Sequence, residues 1–443
     1  MLKTWKIFCF SRLNFNFFNI CIVENVEKCS KKPLFKAVLG QKFSMWTNLK
    51  GLKTQNEHRF LTKKSKRKEG STMNKNPYAG LYIHVPFCAQ KCRYCDFYSF
   101  LKGEEYFEIY KNRVIEAIEF YGKKYARSYN SLYFGGGTPL LLGEKHLCSI
   151  MEAVKPYLTA DAEVTAEGNP GVSERADFKK LREAGINRLS FGLQSSNDKE
   201  LSALGRIHSA KEAAETVKAA QNAGFDNISL DLMLGIPYQT EETLLESINF
   251  CDSLGVSHIS SYMLKIEDTT PLAKSELRFL CADEEKSADL YLFVCEELSK
   301  RGFEQYEISN FAKGGKRSFH NTRYWLDDEY IGIGPSAHSF MEGRRFYTDR
   351  NINDFLNVSF EENEKEESSG GNWEEFAMLR LRLSEGLDVS ELEKLFPEVS
   401  GAEILEKAKP FEAPGLLKIS GSMISFTPKG FLLSNALTAE ILY

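Results

Sequence analysis

From residue 80 onward the chain repeats one unit, and that repetition limits its architecture more than any other feature. Short β-rich runs recur: LYIHV (81–85), SLYF (131–134), EVTAE (163–167), RLSFG (188–192), ISLDLML (228–234) and HISSYML (258–264). Their spacing is roughly 30 residues, that of a strand plus a helix and its turns. Helical patterns fill the gaps at 104–121, 144–155, 174–184, 209–223 and 240–254. In the first of these, Tyr106, Phe107, Ile109, Tyr110, Val114, Ile118 and Tyr121 follow a period of about 3.6. Parallel neighbouring strands need a long crossover, and a helix both supplies it and covers the sheet. The pattern therefore predicts a parallel α/β sheet. Periodicity leaves open whether that sheet is doubly wound, a barrel or a partial barrel.

The alternation weakens after about residue 265. A helical stretch (283–301) leads into a segment dense in aromatics, His and Gly, YEISNFAKGGKRSFHNTRYWLDDEYIGIGPSAHSF (306–340). The run EENEKEESSGGN (361–372) reads as an exposed connector. Beyond it, a helix at EEFAMLRLRLSEG, the run ELEKLF and a hairpin at LLKISGSMISFTPKG resemble a small α+β, winged-helix-like domain over 373–443. At the other end, residues 1–72 are rich in Lys, Asn and Phe and end in KKSKRK (63–68). They read as a poorly structured extension, either a targeting segment or sequence upstream of a start near Met73. With 57 basic and 61 acidic side chains the net charge is −4, which gives no reason to expect a nucleic-acid partner. No apolar run is long enough to span a membrane.

Of ten cysteines only three are grouped, in CAQKCRYCDF (88–97). That distribution suggests a reducing compartment and one metal site. Thiols at i, i+4 and i+7 on a tight loop can hold one small object. Structural zinc takes four protein ligands, usually in paired spacings, and no second pair follows. An iron–sulfur cluster accepts thiolates, and three of them would leave one iron open. A cluster, zinc and an incidental buried group all remain readings of the spacing alone.

Position sharpens the choice. Cys88 falls just after the first strand and GGGTP (135–139) after the second, while Glu167 and Gln194 end the third and fourth. Asp231 and Tyr262 lie in the fifth and sixth. In parallel α/β folds the loops at the strands' carboxyl ends converge on the active site. C-x3-C-x2-C after a first strand, followed by GGGTP, resembles the radical S-adenosylmethionine superfamily. That resemblance implies a [4Fe-4S] cluster whose open iron binds the amino and carboxylate groups of S-adenosylmethionine, and a sulfonium cleaved on reduction to a 5′-deoxyadenosyl radical. The fold it implies is a partial (β/α)6 barrel over 73–305.

YIHVPFCAQKCRYCDF, FGGGTP, EGNP, RLSFGLQS, LGRIHS and LDLMLGIPYQT, in that order, are similar to the branch holding oxygen-independent coproporphyrinogen III oxidase and the haem chaperones. By that likeness Cys88, Cys92 and Cys95 would hold the cluster. Tyr82, Tyr94, Gly136, Gly137, Thr138, Glu167, Gln194, Arg206 and Asp231 would line the S-adenosylmethionine site, and 373–443 would be the branch's C-terminal domain. Taken singly, Tyr82 also fits strand packing and Arg206 an ordinary surface residue.

Two features separate the branches. The oxidase continues its cluster motif with another cysteine two residues after the third, where this chain has Phe97. It also carries an N-terminal arm that residues 1–72 do not resemble. Conversely, SFHNTRYW (318–325) contains the H-N-x-x-Y-W motif associated with the haem chaperones, within a haem-contact region over 306–360. His320 offers an imidazole to haem iron, and Tyr324 and Trp325 offer flat faces to a porphyrin. A histidine among aromatics is otherwise an ordinary core residue, and His338 is a second candidate ligand. The likeness thus implies a haem chaperone serving haem-accepting respiratory proteins, with the decarboxylating oxidase as the alternative. A radical enzyme acting on an RNA base is disfavoured by the acidic balance. A cytoplasmic location is expected, or a mitochondrial one if residues 1–72 are a targeting segment. Dimerisation and peripheral membrane association through partners stay open.

Overall fold

Each apolar run of the repeat becomes a strand: β1 (Ala79–Val85), β2 (Tyr129–Gly136), β3 (Leu158–Gly168), β4 (Arg188–Gln194), β5 (Ile228–Leu234) and β6 (His258–Met263). The computed structural model describes residues 76–101, 104–171 and 176–443, so the expectations for 1–72 lie outside the described residues. The six strands pair in parallel in sequence order. With same-handed crossovers, an order without reversal puts every helix on one face. A doubly wound sheet reverses at a switch point. The choice left open by periodicity is thereby made for the partial barrel.

The crossovers are the helices Glu105–Tyr125, Gly143–Val154, Phe178–Glu183, Ala210–Asn222 and Glu241–Ser253. Two begin where a side chain satisfies the first free amides, in boxes formed by Ser209 with Glu212 and by Thr240 with Thr243. One helix that periodicity did not register, Asp198–Leu204, is short and set by its ends. The Asn197 side chain accepts the amides of Lys199 and Glu200, and Gly205 (φ 74°) closes it in the left-handed region.

The strands obey strict alternation, but with an unusual inner face. Leu81, Ile83, Leu132, Phe134, Leu189 and Leu230 are buried against the helices. The opposite parity holds His84, Ser131, Thr165, Arg188, Ser229 and His258, equally buried and all polar. Such an interior stands only if its groups find partners.

The sheet runs on past both ends of the parallel set, so the barrel does not close on itself. Beyond β6 lie β8 (Asn310–Ala312), antiparallel to it, and β7 (Glu304–Gln305), antiparallel to β8. Beyond β1 come β9 (Tyr330–Ile333), parallel to it, then β10 (His338–Met341), β11 (Arg344–Thr348) and β12 (Glu364–Ser369). β12 corrects the expectation of a connector over 361–372. Its sequence, EKEESS, has no apolar alternation because an edge strand pairs on one side only, and its charges discourage further pairing.

The C-terminal region has the anticipated helices and hairpin. Helices Trp373–Arg380, Val389–Leu395 and Gly401–Ala408 accompany a three-stranded sheet of β13 (Leu387–Asp388), β14 (Leu417–Ser420) and β15 (Met423–Phe426). It docks on the rest of the chain through Leu379 and Leu383 packed on Trp325, and through an Arg345–Glu375 ion pair at 2.8 Å. Among the described residues no helix is long and apolar enough to cross a membrane.

Candidate functional site

The cysteine loop leaves β1 and is pinned from three sides. The Cys88 amide donates to the Phe100 carbonyl, while the Arg93 amide donates to Leu204 O at 2.9 Å. The Leu272 amide donates back to Arg93 O at 2.8 Å. Thr269 donates to Asp96, and Lys91 Nζ bonds the Ser99 hydroxyl and the Phe97 carbonyl inside the loop. The loop is therefore positioned by the segments after β4 and β6 as well as by its own strand. All described cysteines are free thiols. Burial pushes the Cys95 thiol up to about 11, and the neighbouring Cys92 and Cys88 add to this.

Around the thiols the expected residues assemble. Gly136 (φ 109°) adopts a backbone that favours glycine, and a Cβ there would stand 2.7 Å from the His84 ring. The Gly137 amide donates to Val85 O, and the Thr138 hydroxyl reaches Cys88 Sγ at 3.7 Å. Glu167 accepts from Tyr133 OH at 2.7 Å and from the Gly136 amide at 3.2 Å. Burial drives its carboxyl up to about 8, and nearby Asp231 adds to that. Asp231 itself is raised to about 6, again chiefly by burial. Tyr94 is half-buried beside Arg206, Cys92, Cys95 and Asp231. Tyr82 shares a hydrogen bond with His84 and neighbours Glu167. Gln194 holds φ at 72° where the β4–β5 register shifts, a strained conformation for a side chain bearing Cβ. Its Oε1, and Oδ1 of Asp231, are buried without a hydrogen-bond partner.

Sequence reasoning passed over Asn169, although EGNP contains it. Arg206 donates to Cys92 Sγ at 3.4 Å and to Asn169 Oδ1 at 2.7 Å. Asn169 Nδ2 then donates to the Thr138 hydroxyl at 2.9 Å, and Thr138 to Cys88. One chain of bonds thus joins two of the three thiols. Gly192 makes room for it, since a Cβ there would lie 2.9 Å from Arg206 Nη2 and 2.9 Å from Gln194 Nε2. Asn169 at the end of a strand motif was a readable signal; the Gly192 clearance was not.

His320 lies just beneath this edge, its ring 5.3 Å from that of Tyr133, which bonds Glu167, and 6.4 Å from that of Tyr82. Its helix, Phe319–Trp325, enters the concave side, where Glu163 accepts the amides of Phe319 and His320. The ring shares hydrogen bonds with Ser131 Oγ (2.9 Å) and Tyr324 OH (2.8 Å), so both nitrogens are occupied in a fully buried side chain. Ser131 lies level with Glu163 and five residues before Gly136. Burial and the nearby Arg323 and Arg188 keep the imidazole neutral. Ligation of an iron by His320 would require Tyr324 to leave Nε2. Trp325 is likewise engaged, against the C-terminal region.

A parallel partial barrel with three thiols and buried, unpaired acceptors at its carboxyl edge is the site of a radical S-adenosylmethionine fold. The family model for the Radical SAM superfamily matches residues 82–251, and that for the HemN C-terminal domain matches 372–433. A Bacillus subtilis protein named heme chaperone HemW is 33% identical over 373 residues, covering 80% of this chain and 96% of that protein. Its Escherichia coli namesake is 36% identical over 323 residues, covering 71% and 85%. A Bos taurus protein, radical S-adenosyl methionine domain-containing protein 1, mitochondrial, is 39% identical over 265 residues, covering 59% and 60%. The solved structure of E. coli coproporphyrinogen III oxidase (HemN) superposes with a TM-score of 0.73 over 83% of this chain and 91% of that one. At 21% identity that likeness concerns the fold alone. The chain belongs to the HemW family.

The superfamily implies a [4Fe-4S] cluster and S-adenosylmethionine, and the residues present fit both. Among the described residues no three His, Cys, Asp or Glu side chains converge tightly enough for one ion, the three cysteines included. The unpaired Asp231 and Gln194 oxygens beside Glu167 suit a cationic, hydroxyl-bearing ligand.

Proposed function

We propose that the chain is a haem chaperone: it holds a [4Fe-4S] cluster on Cys88, Cys92 and Cys95, binds S-adenosylmethionine beside it, binds haem, and delivers that haem to respiratory acceptor proteins. The observation that carries this reading is the assembled carboxyl edge in a chain that spans nearly the whole of relatives named heme chaperone. When bound, the cluster supplies an open iron and an electron next to a sulfonium. The protein's own part is binding and orientation. Gly136, Gly137 and Thr138 present backbone at close range, while Glu167, Asp231 and Gln194 accept from ammonium and hydroxyl groups. Arg206 bonds Cys92, and Tyr82 and Tyr94 wall the site. At neutral pH the Glu167 carboxyl carries its proton until a cation displaces it. Phe97, where the oxidase has a further cysteine, supports the chaperone over the decarboxylase.

The test is anaerobic reconstitution of the full chain, followed by parallel assays for haem binding and transfer and for coproporphyrinogen III decarboxylation. Haem retained and surrendered to an apo-cytochrome, without protoporphyrinogen, is the expected result. Robust protoporphyrinogen production with no haem binding would overturn it in favour of the oxidase. Cys92→Ala should abolish the cluster's visible absorbance and most of the bound iron.

A further inference from the structure

The described residues include six histidines, and their hydrogen bonds sort them sharply. Four have both ring nitrogens occupied. His84 bonds Tyr82 OH and Tyr98 O, and His146 bonds Leu142 O and meets the Glu108 carboxylate. His258 bonds Ser229 and Tyr306, and His320 bonds Ser131 and Tyr324. His208 has an unpaired Nδ1, but that atom is sealed from solvent. His338 alone combines one engaged nitrogen with one both unbonded and unsealed. Its Nδ1 lies 3.3 Å from Glu367 Oε2, while Nε2 has no hydrogen-bond partner among the described residues.

Metal-binding histidines characteristically direct one N–H to a carboxylate, which fixes the tautomer, holds the ring and strengthens the other nitrogen as a donor to metal. Glu367 on β12 stands in that position. The Tyr347 ring, opposite His338 across the β10–β11 pair, stacks on the imidazole at 5.3 Å and 23°. The ring is thus held by two strands, with 9% of the residue exposed. β10 runs antiparallel to β9 with Phe340 opposite Tyr330, which sets His338 level with Gly332 and so with Tyr82 on β1. That places it two strands away from the carboxyl-edge site.

We propose that His338, oriented by Glu367, is the axial ligand to the iron of the haem cargo. This rests on the haem-binding reading above. The lone pair on Nε2 is donated to iron while Nδ1–H stays on the carboxylate, and no bond is broken or oxidised.

The test titrates the full chain with ferric protoporphyrin IX and, separately, with metal-free protoporphyrin IX. In His338→Ala the Soret band of histidine-ligated iron should vanish and affinity for the ferric porphyrin fall at least about tenfold. Affinity for the metal-free ring should be unchanged, and added imidazole should restore the spectrum, which a misfolded variant would not allow. Glu367→Gln should keep the ligated spectrum with a smaller loss of affinity. A His338→Ala protein with wild-type spectrum and affinity overturns the ligand and leaves the haem reading standing. Equal loss of both porphyrins also overturns the ligand. A wild-type chain that binds neither porphyrin overturns both.

Discussion

The carboxyl edge and the polar interior below it are built from the same six strands, yet they treat buried polar groups in opposite ways. In the interior, His258 and His320 each sit between a serine on a strand and a tyrosine, with nothing left to offer. At the edge, Asp231 and Gln194 keep oxygens without partners, and Glu167 is too buried to ionise readily. An unsatisfied buried acceptor costs on the order of 1–3 kcal/mol, so it persists where a ligand completes it. The interior has exceptions, Thr165 Oγ1 among them, and the largest is Arg188. Its Nε and Nη1 lack hydrogen bonds, and the charges around it, Glu163 foremost, hold it ionised against burial.

The sharpest way to break that contrast is His320→Ala. Removing a buried ring that bonds Ser131 and Tyr324 should cost about 3–5 kcal/mol in chemical denaturation, while cluster iron content in the surviving fold stays near wild type. Loss of the cluster with little loss of stability would move His320 from scaffold to site.

The next effect is a pH dependence. The folded Glu167 carboxyl titrates at about 8 instead of 4.5, so the native state binds its proton more tightly than the unfolded chain does. Stability of the cofactor-free protein is therefore greatest below the unfolded value and falls as pH rises from about 4.5 towards 8. The slope reaches at most about 1.4 kcal/mol per pH unit. Glu167→Gln should flatten it, leaving the smaller contribution of Asp231. A denaturation series in which both proteins share one slope would refute the assignment.

The smallest effect sharpens the edge itself. Asn169→Ala breaks the chain between Arg206 and Thr138 and should weaken S-adenosylmethionine binding by roughly tenfold, an effect typical of lost outer-shell partners. Calorimetry on the reconstituted protein measures it. A variant that binds normally would reduce Asn169 to local packing.

Much of this was legible in the chain. Six β-rich runs between helical patterns foretold the strands, and the thiol spacing with GGGTP foretold where chemistry would gather. The alternation within those runs carried a signal that went unread. Ser131, Thr165, Arg188, Ser229 and His258 share one parity, which already describes a polar inner face. The connector at 361–372 misled because an edge strand needs no apolar code. The engagement of both His320 nitrogens was not legible, because a motif reports which residues travel together, not which atoms remain free.

Sequence alone therefore determined the fold class, the loop that holds the thiols and the edge on which they sit, because periodicity and turn chemistry are local properties of the chain. Only the tertiary structure decided which histidine has a nitrogen to spare. Ser131 and Tyr324 saturate His320, while Glu367 and Tyr347 hold His338 and leave Nε2 unbonded. Availability of a lone pair depends on partners that are distant in sequence, and those meet only when the sheet is assembled.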